Sequence, residues 1–309
     1  MRKSPRKAKE LKKVGRRVYN YTEYERLRKE VKDDIDEFAS LIKEAASMIT
    51  IAKSAGRPKK FNLVERTHLF FIVRIIDKSN RDTAALLGSL LEPFIKETVS
   101  YKYVERLYSD DQVKMVLHNA FKLMLKKKGV SGKFAGDGTG YSLLISKHYS
   151  TKPEKEVKDF RYAFNIIDLV TGLYVGVGYS PKSEMDAFHK AMKMVKDFGI
   201  SIDQICLDKY YSSQEVLKLF GKKTAVYLIP KKNISNIGLK WSRIFRKILK
   251  DPYEYLKTYF QRNLSEAAYS ADKGRFGWVI RQKREDRQEM AIFSISMLHN
   301  IFSVRIVPK

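Results

Sequence analysis

The run Lys133-Phe134-Ala135-Gly136-Asp137-Gly138-Thr139-Gly140-Tyr141-Ser142-Leu143-Leu144-Ile145 is where the chain changes texture. Before it, apolar residues recur at three- and four-residue steps, as helices require; from Gly129 onward, short β-rich runs alternate with turn residues. A domain boundary is expected near residue 130. Strands are expected at Lys133–Ile145, Tyr162–Asp168 and Leu173–Tyr179, with Thr171-Gly172 turning the chain between the second and third. Ser180-Pro181 then opens a helix through Phe198, Pro being suited to a first helical turn. Ile202–Leu207 reads as a strand, Ser213–Phe220 as a helix, Thr224–Ile229 as a strand, and about Asp251 to Ala271 as a helix.

Three antiparallel strands followed by helix, strand, helix, strand and helix is the element order of a ribonuclease-H-like fold. The expected class is α/β, a mixed sheet flanked by helices over residues 131–309. An all-helical region precedes it. Residues 1–60 comprise a basic arm and a long helix, Thr22 to about Ala52, whose stripe Phe38, Leu41, Ile42, Ala45, Met48 and Ile49 needs a partner surface, either the chain's own core or a second subunit. Residues 61–130 hold helices Leu63–Lys78, Arg81 to about Leu91 and Tyr103–Lys128, with Ser79 or Asn80 placed to cap the second. Short helices on tight turns suit either a DNA-binding helix-turn-helix or a plain supporting bundle.

Lys and Arg outnumber Asp and Glu by 61 to 35 over 309 residues, a formal charge of +26. A field of that sign favours a polyanion, nucleic acid first. Nothing reads as a transmembrane run or a signal segment, so a soluble, cytoplasmic, nucleoid-associated protein is expected. The first 20 residues carry nine Lys or Arg against Glu10 alone, an arm expected to be disordered without DNA. Gly56-Arg57-Pro58-Lys59-Lys60 has two readings: a basic linker, or a hook in an A·T-rich minor groove that places Arg57, Lys59 and Lys60 on DNA. The single cysteine, Cys206, lies between Ile205 and Leu207 and reads as a buried strand residue. The five histidines have no partner at zinc-ligand spacing. Metal chemistry would have to use carboxylates.

Asp137 lies inside an expected strand among glycines, where a charge is costly unless paired. Asp208 ends the apolar strand Ile205-Cys206-Leu207, at the edge where α/β sheets bind ligands. In the expected topology these strands are neighbours, and two carboxylates so close need a cation. Tyr259, Arg262, Glu266 and Lys273 fall at offsets of three, four and seven, which places them on roughly one face of a helix. Such a face offers a metal-binding carboxylate flanked by cations that hold phosphates. Lys231 to Lys250 is a second basic stretch containing Trp241, read either as a surface that stacks on an unpaired base or as an indole packed on the sheet.

The spacing Tyr259-x2-Arg262-x3-Glu266-x6-Lys273 resembles the Y-x2-R-x3-E-x6-K signature of DDE transposases from bacterial and archaeal insertion sequences. Asp137-Gly138-Thr139 is similar to that family's first Asp motif and Asp208-Lys209-Tyr210-Tyr211 to its second, with Tyr210 where Gly is usual. The likeness covers about Gly132 to the C-terminus. The 58 positions between Asp208 and Glu266 leave no room for the large β-rich insertion of some relatives, so the hairpin handling that accompanies it does not carry over.

The resemblance implies two-metal phosphoryl transfer, with Asp137, Asp208 and Glu266 as catalytic residues and ligands of two Mg²⁺ or Mn²⁺ ions. It further implies Arg262 and Lys273 on phosphates near the scissile bond, Tyr259 on the DNA backbone, and double-stranded element ends and target DNA as partners. A homodimer on DNA follows by analogy. Two other functions share the carboxylates and charge: a metal-dependent nuclease or resolvase of the same fold, and a domesticated DNA-binding derivative.

Overall fold

A computed structural model describes residues 21–50, 59–90, 99–144, 160–232 and 238–302. The basic arm and Arg57 lie outside these described residues. Five helices come first: α1 (Tyr21–Ser47), α2 (Leu63–Ile76), α3 (Asn80–Leu90), α4 (Tyr101–Leu107) and α5 (Asp111–Lys128). The stripe on α1 is covered by the chain itself: Phe38, Leu41, Ile42 and Ala45 are buried, and α1 packs on α2 and α5. Met48, placed in that stripe, is exposed instead. Ser79 is the cap of α3, accepting from the Asp82 N–H at 3.2 Å.

The single helix expected over Tyr103–Lys128 is two. Asp110 breaks it, because its carboxylate accepts from the Gln112 and Val113 N–H groups and starts α5 afresh. The same carboxylate receives Arg66, buried on α2, and Lys59 at 3.3 Å.

A mixed sheet follows, in the order β3-β2-β1-β4-β5: β1 (Lys133–Leu143), β2 (Phe160–Asp168), β3 (Tyr174–Ser180), β4 (Gln204–Leu207) and β5 (Ala225–Tyr227). The first three strands are antiparallel, β1 pairs β4 in parallel and β4 pairs β5 in parallel. A short β6 (Val279–Ile280) pairs with the far end of β1. Gly172, at φ 73, makes the expected turn between β2 and β3.

Helix α6 (Glu184–Asp197) starts later than Ser180-Pro181. Ser180 Oγ accepts from the Lys182 and Ser183 N–H groups, forming a turn, and Ser183 then caps the helix by accepting from Asp186. The strand sequence Val175-Gly176-Val177-Gly178 explains how closely α6 packs on β3. A Cβ on Gly178 would lie 1.8 Å from the Ala187 carbonyl oxygen, and one on Gly176 would lie 2.9 Å from that of Ala191.

A short helix, α7 (Gln214–Lys218), precedes β5, and beyond that strand come α8 (Leu239–Lys250), α9 (Pro252–Tyr259), α10 (Asn263–Phe276) and α11 (Glu285–Phe302). The helix expected from Asp251 to Ala271 is broken by a 3-10 turn at Phe260–Arg262. No helix was expected at α11, which runs through the core against β3, α1, α2 and α5. The apolar residues of the helices and of the sheet thus join one continuous core.

Gly178→Ala is expected to cost about 3 kcal/mol, since backbone rather than a movable side chain blocks the added methyl. Gly88→Ala, in open space on α3, should be neutral or stabilise by up to about 1 kcal/mol. Urea unfolding of the two variants checks the contrast.

Candidate active site

The parallel register of β1 and β4 sets Gly136 opposite Leu207, so Asp208, the next residue, falls beside Asp137. Asp208 leads into a 3-10 turn, Lys209–Tyr211, and Trp241 secures that turn by donating its indole N–H to the Ser212 carbonyl at 3.0 Å. Trp241 is 1% exposed, which decides for the packed indole and against a stacking surface. Cys206 is buried as expected, and burial pushes its thiol up to about 12.

Asp137 accepts the Gly138 N–H at 3.0 Å. Burial pushes its carboxyl up to about 6; the Gly138 N–H and Arg262 pull the other way, while Glu266 and Glu184 add to the rise. It is a desolvated carboxylate with like charges nearby.

The third carboxylate, Glu266, lies in the first turn of α10, just beyond the 3-10 turn that follows α9. Because the 3-10 turn tightens the backbone after Tyr259, the four signature residues share a site without sharing one helix. Arg262 lies over the Tyr259 ring, 5.6 Å from its centre, and donates from Nη1 to Glu266 Oε1 at 2.8 Å. Burial opposes the charge on Arg262, but Tyr259, Glu266, Asp208 and Asp137 outweigh it and hold the guanidinium firmly protonated. One cation thus stands within electrostatic range of all three carboxylates. Its Nε is buried with no hydrogen-bond partner among the described residues.

Tyr259, expected against the DNA backbone, is 3% exposed. Its ring supports Arg262 from below, and burial raises its phenol. Lys273 donates to Thr139 Oγ1 at 2.6 Å, and burial lowers its pKa. Tyr269 donates to the Asp137 carbonyl at 2.9 Å, so α10 is stitched to β1 at Asp137 and again at Thr139.

Glu184 and Asp272, which the sequence reading did not single out, and His299, read there only as one of five histidines without a zinc-ligand partner, complete the site's framework. Glu184, in the first turn of α6, accepts the Tyr211 O–H at 2.5 Å. Its carboxyl fills the space over Gly138, where a Cβ would lie 2.2 Å from Glu184 Cδ. Glu184 therefore ties the Asp137 strand to the turn after Asp208. Its one sequence signal was the glycine after Asp137, which leaves room for something. Asp272 and His299 form a buried pair behind α10: Nδ1 of His299 lies 2.8 Å from Asp272 Oδ1, Nε2 lies 2.9 Å from the Gly172 carbonyl, and Tyr174 donates to Asp272 Oδ2 at 2.8 Å. No sequence spacing announces that pair.

Among the described residues, no three His, Cys, Asp or Glu side chains are gathered as a metal-binding group. Glu266 is turned to Arg262 instead. Lys59 is engaged with Asp110 and Gln112 on the helical side, and Lys60 is exposed.

The chain is 54% identical over 300 residues to a protein of Archaeoglobus fulgidus named "Probable transposase for insertion sequence element ISA1214", covering 97% of this chain and 93% of that protein. This chain belongs to the insertion-sequence transposases. No family model matches it. No helix among the described residues of this transposase is long and apolar enough to cross a membrane. Its overall positive charge agrees with an enzyme acting on DNA, whereas the rim where β1 meets β4 is locally acidic.

Two predictions follow from the geometry. A carboxyl whose folded-state pKa is raised lends stability that is complete below its ordinary value near about 4 and is lost as pH rises through about 6. In the transposase stripped of metal by a chelator, Asp137→Asn should therefore be more stable than the parent at pH 7, by about 1 to 2 kcal/mol after allowing for screening, with no advantage at pH 3.5. Thermal melts across that pH range decide it.

The second prediction concerns Glu184. Gly138→Ala should displace the Glu184 carboxyl and strand the buried Tyr211 hydroxyl, at about 1 to 3 kcal/mol; Glu184→Ala strands the same hydroxyl. The double variant should then be little worse than either single one. Additive losses in a double-mutant cycle would show that Glu184 does not link the two segments.

Proposed function

We propose that this transposase binds the ends of its element and performs DNA strand cleavage and strand transfer by metal-dependent phosphoryl transfer on a ribonuclease-H-like fold. Asp137, Asp208 and Glu266 are its catalytic carboxylates. The observation that carries the reading is the convergence of Asp137 and Asp208 on adjoining parallel strands, with Arg262 drawing Glu266 to the same rim.

The residues present fit a divalent cation. Asp137 is desolvated, has the Gly138 N–H as its hydrogen-bond donor, and feels two further carboxylates. Mg²⁺ or Mn²⁺, two ions on the family's pattern, would when bound activate the attacking oxygen and stabilise the leaving one. Glu266 is free to join that role, since its ion pair with Arg262 is half-exposed and of the i,i+4 kind, worth only about 0.3 to 0.5 kcal/mol.

The chain's own side chains do the rest. Arg262, released from Glu266, presents a guanidinium that Tyr259 holds in place, and its unpartnered Nε is a donor suited to a phosphate oxygen. Lys273, at reduced proton affinity beside Thr139, supplies a second cation two residues along β1 from Asp137. Tyr269 and the Glu184–Tyr211 hydrogen bond keep Asp137 from shifting as charge is neutralised. Helices α2 and α3, the basic arm and the residues Arg57, Lys59 and Lys60 provide candidate contacts to duplex DNA away from the scissile bond. A pair of chains would hold the two ends together.

The test uses Asp137→Asn, Asp208→Asn and Glu266→Gln in the full chain, with duplexes carrying the DNA that flanks its gene. Each variant is expected to bind the duplex in a mobility shift and to lose Mg²⁺-dependent cleavage and joining. Metal-dependent cleavage that survives any of the three would remove that residue from the centre. Cutting without joining by the parent protein would favour a nuclease.

A further inference from the structure

A cavity of about 130 Å³ lies between the loop that enters β5 and helix α8. Five cations surround it, Lys222, Lys223, Lys240, Arg243 and Lys247, and no acidic residue is among the described residues that line it. Its floor is apolar, made by Leu217, Phe220 and Ile244. None of the five cations forms an ion pair among the described residues, so the cavity presents positive charge of one sign, which suits an anion.

Lys240 is the half-buried member of the set. Its ammonium donates to the Leu217 and Phe220 carbonyls at the end of α7, and burial together with Arg243 lowers its proton affinity. It anchors the rim. Lys247 lies 5.4 Å from the centre of the Tyr227 ring, and the remaining three cations are exposed.

The position excludes the carboxylate site. Asp208 leaves the carboxyl end of β4, whereas the loop at Gly221–Thr224 enters β5 at the amino end, where Ala225 pairs with Gln204. Four strand residues, about 13 Å, separate the two ends. Arg243, Lys247 and Lys250 recur at four and three residues along α8, so the cations run on as a track about 10 Å long. A lone phosphate needs convergent donors; a track needs a chain of phosphates.

We infer that this basic cavity is a second DNA-binding site, which holds the phosphodiester backbone of a duplex segment remote from the scissile bond, with sugar edges against the apolar floor. The inference rests on the reading of the protein as a DNA-joining enzyme. Such an enzyme handles two DNA segments, and the carboxylate site engages only one stretch of them.

The test measures binding of a fluorescein-labelled duplex by anisotropy from 0.05 to 0.3 M salt, as about the range over which counterion release is read. The full chain carries Asp137→Asn in every case, so binding is read whether or not the carboxylates are catalytic. One variant adds Lys222→Glu and Arg243→Glu. A control of equal charge change adds Lys193→Glu and Lys196→Glu, on the exposed face of α6. The cavity pair is expected to reduce the slope of log K against log salt by about 2, at about 0.9 per phosphate contact, and the control to leave it close to the parent's.

Lys222→Gln with Arg243→Gln, which reverses no charge, should reproduce the loss with an unchanged melting temperature. An unaltered slope in the cavity variants overturns the site. So does an equal fall in the control, which would make the effect one of overall charge.

Discussion

The parallel pairing of β1 with β4 creates the problem that the surrounding structure answers. It sets Asp137 and Asp208 side by side at the rim, where burial and the repulsion of Glu266 and Glu184 make an ionised Asp137 costly. Nearby features act on that repulsion. Arg262 supplies a positive charge within reach of both and of Glu266, and Tyr259 beneath it keeps the guanidinium from swinging out to water. The break between α9 and α10 makes this possible. A straight helix would carry Arg262 past the rim, whereas the 3-10 turn draws its backbone back over β4.

A repulsive centre also needs a frame that does not give way. Tyr269 and Lys273 fasten α10 to β1 at Asp137 and at Thr139, and the buried Asp272–His299 pair fastens the back of α10 to α11 and to the turn at Gly172. These hydrogen bonds join α10 to its neighbours in largely buried surroundings, about 0.5 to 3 kcal/mol each and costly to break singly. The Glu184 carboxyl, held by Tyr211, does the same work on the opposite face of the sheet while adding to the local negative charge. That addition makes structural sense if the rim is built for a cation.

Much of this was legible from residues alone, and the parts that were not share a cause. The strands around Asp137 and Asp208 could be read because period-two patterning and strand-end placement are local properties. The signature at Tyr259, Arg262, Glu266 and Lys273 could be read from spacing, although the spacing implied one helix and the chain makes two with a turn between. Helix α11 escaped because it is buried on all sides: with Gln288, Ser294, Ser296, His299 and Asn300 inside, it has no polar face against which a stripe could stand out. Glu184 escaped because its role arises from a sheet crossing, between residues 46 positions apart, that no periodicity encodes. Asp110 likewise divides a helix that propensity alone would run through, because a capping carboxylate competes with helix continuation only where partners such as Arg66 wait for it.

The distribution of charge adds a last step. The chain is strongly basic overall, yet its acidic side chains at the rim are gathered against Arg262 and left otherwise uncompensated. A field positive over the surface draws duplex DNA in, but it would also clamp phosphates indiscriminately if the centre itself were basic. An acidic centre repels phosphate until a cation arrives. On the proposed mechanism, long-range attraction and local refusal would be separate properties of one surface, and the scissile phosphate would be admitted once a cation had reversed the charge at the rim. Arg262 stands at the junction of the two, tied to Glu266 by a bond weak enough to exchange.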